Sequence, residues 1–234
     1  MLNHNKIVLI IMIVITTSCT TMEGSWEQAK INNTARSYSE YLSKYPNSKF
    51  DSEAKNNLQE IEFSKAEKQN SINSFKEYSL KYPDNKYKDD ISSNLSILMY
   101  EAIKKLNVKN VEEALLVGAN PNHKRFDGAS PLIVLAKGEV ARVKKGVTLL
   151  AIFYGSQKEK RQSIAKSLIK AGAKVTATDS HGKSALDYLL GIEGKSTGDI
   201  TLQLVTKNKG TTATSKSKIE IDKGLIKIIR DADK

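Results

Sequence analysis

A chain of 234 residues has room for one or two small domains, and a composition 39% hydrophobic but only 6% aromatic allows a thin core rather than a thick one. A stack of small helical units needs no more than that. The net charge of +11 is mostly lysine, with arginine only at Arg36, Arg125, Arg142, Arg161 and Arg230; scattered lysines and scarce guanidinium forks argue against nucleic acid, leaving a solvated basic surface or attraction to an anionic partner such as lipid head groups or an acidic protein.

The first element is a leader. Lys6 precedes an unbroken apolar run, Ile7 to Ile15, which ends in Thr16-Thr17-Ser18-Cys19. At 1.5 Å per helical residue such a run reaches about half of a bilayer core, so it does not span one. A basic start, a short apolar run and small residues describe a secretory signal peptide over 1–18. Small residues running into a lone cysteine resemble the lipobox of bacterial lipoproteins. The resemblance implies lipidation of Cys19 on sulfur, cleavage just before it, and a membrane-bound product with a short linker over 19–24. Cys19 is the only cysteine in the chain, so no internal disulfide can form, and acylation would remove an otherwise free exported thiol. With Thr20 after the cysteine, rather than the Asp that retains such proteins at the inner membrane in some bacteria, the resemblance implies the outer membrane, facing the periplasm.

An internal repeat follows. Ser37 to Asn47 returns as Ser74 to Asp84, an offset of 37 residues, and the register extends to Trp26 with Phe63, Ala29 with Ala66, Phe50 with Tyr87 and Leu58 with Leu95. Tyr38, Tyr41, Leu42 and Tyr45 lie on one helical face, and Pro46 and Pro83 end the helices that carry these motifs. Segments 51–69 and 88–105 read as the partner helices. An aromatic, an alanine three residues later, then Tyr38, Tyr41, Leu42, Tyr45 and Pro46 resemble the tetratricopeptide-like repeats of bacterial envelope lipoproteins and outer-membrane assembly proteins. The resemblance covers about 25–106 and implies helix pairs with the tyrosines in the core.

From about 107 the signature changes. Glu112 to Asn122 leads to Asp127-Gly128-Ala129-Ser130-Pro131-Leu132, and Ala165 to Ala173 leads to Asp179-Ser180-His181-Gly182-Lys183-Ser184-Ala185-Leu186. Gly118 and Gly172 sit just past a helix, where a left-handed residue suits glycine, and Gly128 and Gly182 sit in the following turn. Ser130 and Ser184 are placed to cap the next helix, with Pro131 at its first position. These motifs resemble ankyrin repeats over 107–192. Gly118 to Gly172, and likewise Gly128 to Gly182, is 54 residues, against a family period of about 33. The excess falls in 137–161, between helices expected at 130–136 and 162–170, and either lengthens a helix or forms a loop. Its apolar centre is core or a partner site, with Leu149, Leu150, Ile152, Phe153 and Tyr154 as the candidates for partner binding.

The tail, 193–234, holds alternating Thr201 to Val205, a pairing candidate at Lys218 to Asp222, a polar stretch from Lys207 to Lys216 that reads as mobile, and a short closing helix around Leu225 to Ile229. A small β-hairpin and disorder both remain open there.

No catalytic motif stands out: there is no phosphate-binding loop, GxSxG or HExxH. His123 and His181 have no cysteine or second histidine at ligand spacing, so neither metal nor cofactor is expected. Glu112-Glu113 and Asp89-Asp90 are helix neighbours that do not share a cavity, and read as solvated charges. The expectation is a mainly α helical-repeat solenoid, tetratricopeptide-like pairs followed by ankyrin repeats, that is not an enzyme and has no small-molecule substrate. It is expected to act as a membrane-anchored scaffold for a protein partner. The alternatives are an immunity-type lipoprotein neutralising one toxin or hydrolase, and a structural factor in outer-membrane or cell-wall assembly.

Overall fold

The computed structural model describes residues 21–145, 151–191, 200–205, 212–217 and 222–233. The fold is mainly helical. Among the described residues the helices are α1 (Met22–Asn32), α2 (Ala35–Lys44), α3 (Asp51–Gln69), α4 (Ile72–Lys81), α5 (Lys88–Lys104), α6 (Val108–Val117), α7 (Pro131–Lys145), α8 (Ala151–Lys170), α9 (Ala185–Leu190) and α10 (Lys223–Asp231). None is long and apolar enough to cross a membrane. Cys19 and the leader expected over 1–18 lie outside the described residues. Contacts divide the chain into two compact units that meet after Gln69, inside the expected first repeat region.

In the first unit α2 packs on both α1 and α3. Its centre is Trp26, which is buried and stacks on Phe50 at 5.3 Å between ring centroids. Tyr38 and Tyr41 close on the same indole at 5.9 and 5.3 Å. Each phenol keeps a polar partner: Tyr38 donates to Asn33 Oδ1 at 3.1 Å, and the Tyr41 hydroxyl meets Ser48 Oγ at 2.9 Å. This amphipathic use of tyrosine lets a thin core bury large rings without stranding their hydroxyls.

The helix-to-helix junctions recur. Asn33, Asn70 and Leu106 have φ of 44°, 42° and 51°, and each is followed by an N-cap, Thr34, Ser71 or Asn107. Thr34 and Ser71 make reciprocal capping boxes with Ser37 and Ser74, while Asn107 accepts from the Asn110 N–H at 3.1 Å. The spacing is 37 and then 36 residues. A third junction of the same kind thus runs through the point where the sequence signature changes.

In the second unit alternate helices pack in two layers. One holds α5, α7 and α9; the other holds α4, α6, α8 and α10. The core of this unit is mostly aliphatic, with Leu95, Met99, Ile103, Leu132, Ile133, Leu135, Ile164, Leu168 and Leu189 buried alongside Phe75, Tyr78 and Tyr100. Within the insertion expected at 137–161, α7 runs on to Lys145 and α8 begins already at Ala151, while 146–150 lie outside the described residues. Nothing in these stretches stops a helix, since they contain no proline and Gly138 has open space around it. Ile200–Val205 pairs antiparallel with Thr212–Ser217, with Ile200 opposite Ser217. The pairing segment is thus part of the polar stretch expected to be mobile. Lys218 to Ile221 lie outside the described residues, and Asp222 instead caps α10, its carboxylate accepting from the Gly224 and Leu225 N–H groups.

Candidate interaction face

The site is built from the turns that follow α6 and α8. Gly118, Gly128, Gly172 and Gly182 have φ of 127°, 72°, 93° and 69°, the region in which a side chain is strained. After each helix the chain closes in the same way: the Ala119 N–H donates to Ala114 O at 2.8 Å, and the Ala173 N–H to Leu168 O at 2.9 Å. The later turns match too. The Arg125 N–H donates to Ala129 O and the Gly128 N–H to Arg125 O, as the Asp179 N–H does to Lys183 O and the Gly182 N–H to Asp179 O.

Side chains and backbone join the two turns edge to edge. Asn122 donates through Nδ2 to Gly172 O at 2.8 Å and accepts from the Lys174 N–H at 2.7 Å. Asp127 O accepts from both the N–H and the hydroxyl of Ser180, at 3.1 and 2.9 Å. Gly128 lies so close to this seam that a Cβ there would come within 2.7 Å of Ser180 N.

Charges lock the seam from beneath. The Asp179 carboxylate is fully buried and takes Lys137 Nζ at 2.8 Å, the Tyr188 hydroxyl at 2.6 Å, and the His181 and Lys183 N–H groups at 2.9 and 3.2 Å. Burial pushes its pKa up, but the Lys137 ammonium and the other donors outweigh this and hold the carboxyl well below its usual range. Lys137 also stands 4.9 Å from the Tyr188 ring centre and 3.6 Å from Asp127 Oδ2. Burial raises the Tyr100 pKa; its hydroxyl donates to His123 O and to Ala129 O, tying α5 to the first turn.

Above this locked base the tip is open. Phe126 is 95% exposed, more than any other large apolar side chain described, with the Arg125 guanidinium 5.3 Å from its ring centre. Leu116, near the end of α6, is 82% exposed. His181 is exposed, and His123 lies 6.2 Å from the Tyr100 ring. Among the described residues no acidic, histidine or cysteine group could hold a metal ion.

Of the candidate contact residues, Leu149 and Leu150 lie outside the described residues; Ile152, Phe153 and Tyr154 fall within α8, but their side chains do too. Glu112 and Glu113 are not merely solvated: Glu113 pairs with Lys76 at 3.0 Å and Glu112 accepts from the Ser167 hydroxyl at 3.0 Å, joining α6 to α4 and α8. Sequence reasoning passed over Phe126, although an aromatic just before Asp127-Gly128, in a turn, was the available signal. It also passed over a groove in the first unit lined by Ser25, Gln28, Asn32, Glu40, Lys44 and Tyr45, whose polar residues recur at helical spacing on α1 and α2 but look like any solvated helix face. No protein-family model matches the chain, and no curated protein matches it.

Proposed function

We propose that this chain is a bacterial envelope lipoprotein, held on the membrane through lipidated Cys19, that acts as a scaffold for binding another protein. On this reading the tetratricopeptide-like pairs and the ankyrin-type units form a helical-repeat solenoid, with α10 and the strand pair at its C-terminal end. The observation that carries it is the rigid double turn that holds Phe126 almost fully exposed at its tip. An exposed aromatic on a base already ordered by hydrogen bonds loses little entropy when a partner covers it.

The test is capture of partners from detergent-solubilised envelope by the wild-type chain, a Phe126→Ala variant and a variant lacking 137–161. One protein should be retained by wild type and bound at least ~30-fold more weakly by Phe126→Ala, the scale of an interface hot spot. Equal retention by a Phe126→Ala chain that melts like wild type would remove the assignment of the face. Specific capture by none of the three would remove the scaffold reading.

A further inference from the structure

The chain's charge is not spread evenly over its two units. Residues 1–69 hold eight basic and eight acidic residues, whereas 70–234 hold 29 basic and 18 acidic. The whole net charge of +11 therefore belongs to the second unit. The imbalance is steepest between Arg142 and Lys174, which include nine lysines and arginines and only one acidic residue, Glu159.

The fold turns much of that charge outward. On α8, Ile164, Ala165 and Leu168 face the core, while Lys158, Lys160, Lys166 and Lys170 are exposed. Helix α10 packs on α8, and the Asp222 carboxylate at its start accepts from Gln162 at 2.9 Å. Leu225, Ile226 and Ile229 of α10 are buried, and Lys223 and Lys227, one turn apart, are exposed. Two contacting helices therefore put apolar side chains inward and lysines outward. The acids around them are Asp222, 3.8 Å from Lys158, Glu112, which accepts from the Ser167 hydroxyl between Lys166 and Lys170, and Glu159, Asp231 and Asp233, exposed nearby in sequence.

We propose that the α8–α10 face docks on a membrane surface rich in anionic lipid headgroups. The inference rests on the reading that Cys19 ties the chain to a membrane. A tether raises the local concentration of headgroups around the domain, so weak contacts that would fail in free solution become populated. Lysine suits this role: its compact ammonium attracts phosphate diffusely, without the geometric match that arginine forks bring to nucleic acid or a defined phosphoprotein site. The lysines that would touch lipid are those on the α8–α10 face, and the balanced first unit serves as an internal control.

The test is lysine acylation footprinting, read by mass spectrometry, of the full lipidated chain reconstituted into vesicles of phosphatidylcholine alone or of equal parts phosphatidylcholine and phosphatidylglycerol. Lys158, Lys160, Lys166, Lys170, Lys223 and Lys227 should react about fivefold more slowly on the anionic vesicles, while Lys55 and Lys68 of the first unit react equally on both. The difference should vanish in high salt, where screening is complete within a few ångströms. A Lys166→Glu/Lys170→Glu chain, altered only at exposed positions, should lose the protection with an unchanged melting temperature. Equal labelling on both vesicles overturns the proposal. So does protection that appears only on adding envelope extract to neutral vesicles, which would identify an acidic protein as the occupant. Failure of the chain to stay on neutral vesicles tells against the Cys19 anchor and leaves the footprint on anionic vesicles readable.

Discussion

Gly118 and Gly128 both have positive φ, yet they differ in what surrounds them. A Cβ at Gly118 meets nothing within 4 Å, whereas at Gly128 it would collide with the backbone of Asp179 and Ser180. Gly118→Ala should therefore cost about 1 kcal/mol of backbone strain, and Gly128→Ala about 3 kcal/mol, because the second turn must also shift. Denaturant unfolding of the two variants checks the order. Asp179 gives a second prediction at this scale. Its folded pKa lies below that of an unfolded carboxyl, so its contribution is fully present above about pH 4 and is lost as the pH falls further. Asp179→Ala should destabilise the chain by about 2 kcal/mol at neutral pH, since Lys137, Tyr188 and two N–H groups lose their acceptor. The variant should also lose less stability than wild type on acidification below pH ~4, as melting curves across that range would record. The glycine positions were legible from their place after helices and beside Asp127 and Asp179. The pairing of Asp179 with Lys137 was not, because the two are 42 residues apart in the chain.

At the scale of elements, the helix boundaries follow local chemistry. Thr34 and Ser71 start α2 and α4 through capping boxes, and Tyr45 and Tyr82, just before proline, end them. The third junction is harder to see, since Leu106 replaces the asparagine that tolerates positive φ and Asn107 replaces the hydroxyl cap. Substitution of Thr34, Ser71 or Asn107 by alanine should each cost about 1 kcal/mol, read as a drop in melting temperature. A silent Asn107→Ala would show that the third junction is not held as the first two are. The insertion expected at 137–161 follows only from the ankyrin resemblance, and spacing is blind to whether extra residues form loop or helix. Helix α7 lies between α5 and α9 in its layer, and its first turns bury Leu132, Ile133 and Leu135 there.

For the whole molecule, the proposed anchor at Cys19 and the proposed lipid-facing lysines would act together. On the proposed reading, a Cys19→Ser chain should lose its lipid label and move from the membrane to the soluble fraction on cell fractionation at moderate salt. Retention in the membrane at high salt would tell against lipid anchoring through this residue. The sequence by itself determined the 37-residue register of the capped junctions, the glycine turns and most helix ends, because each depends on neighbouring backbone groups and side chains within a turn or two. Only the tertiary structure decided the two layers of the second unit, the burial of Asp179 beneath the paired turns, the exposure of Phe126 and the lysines that face outward together. Those depend on which distant segments exclude water from one another, and no local pattern encodes that directly.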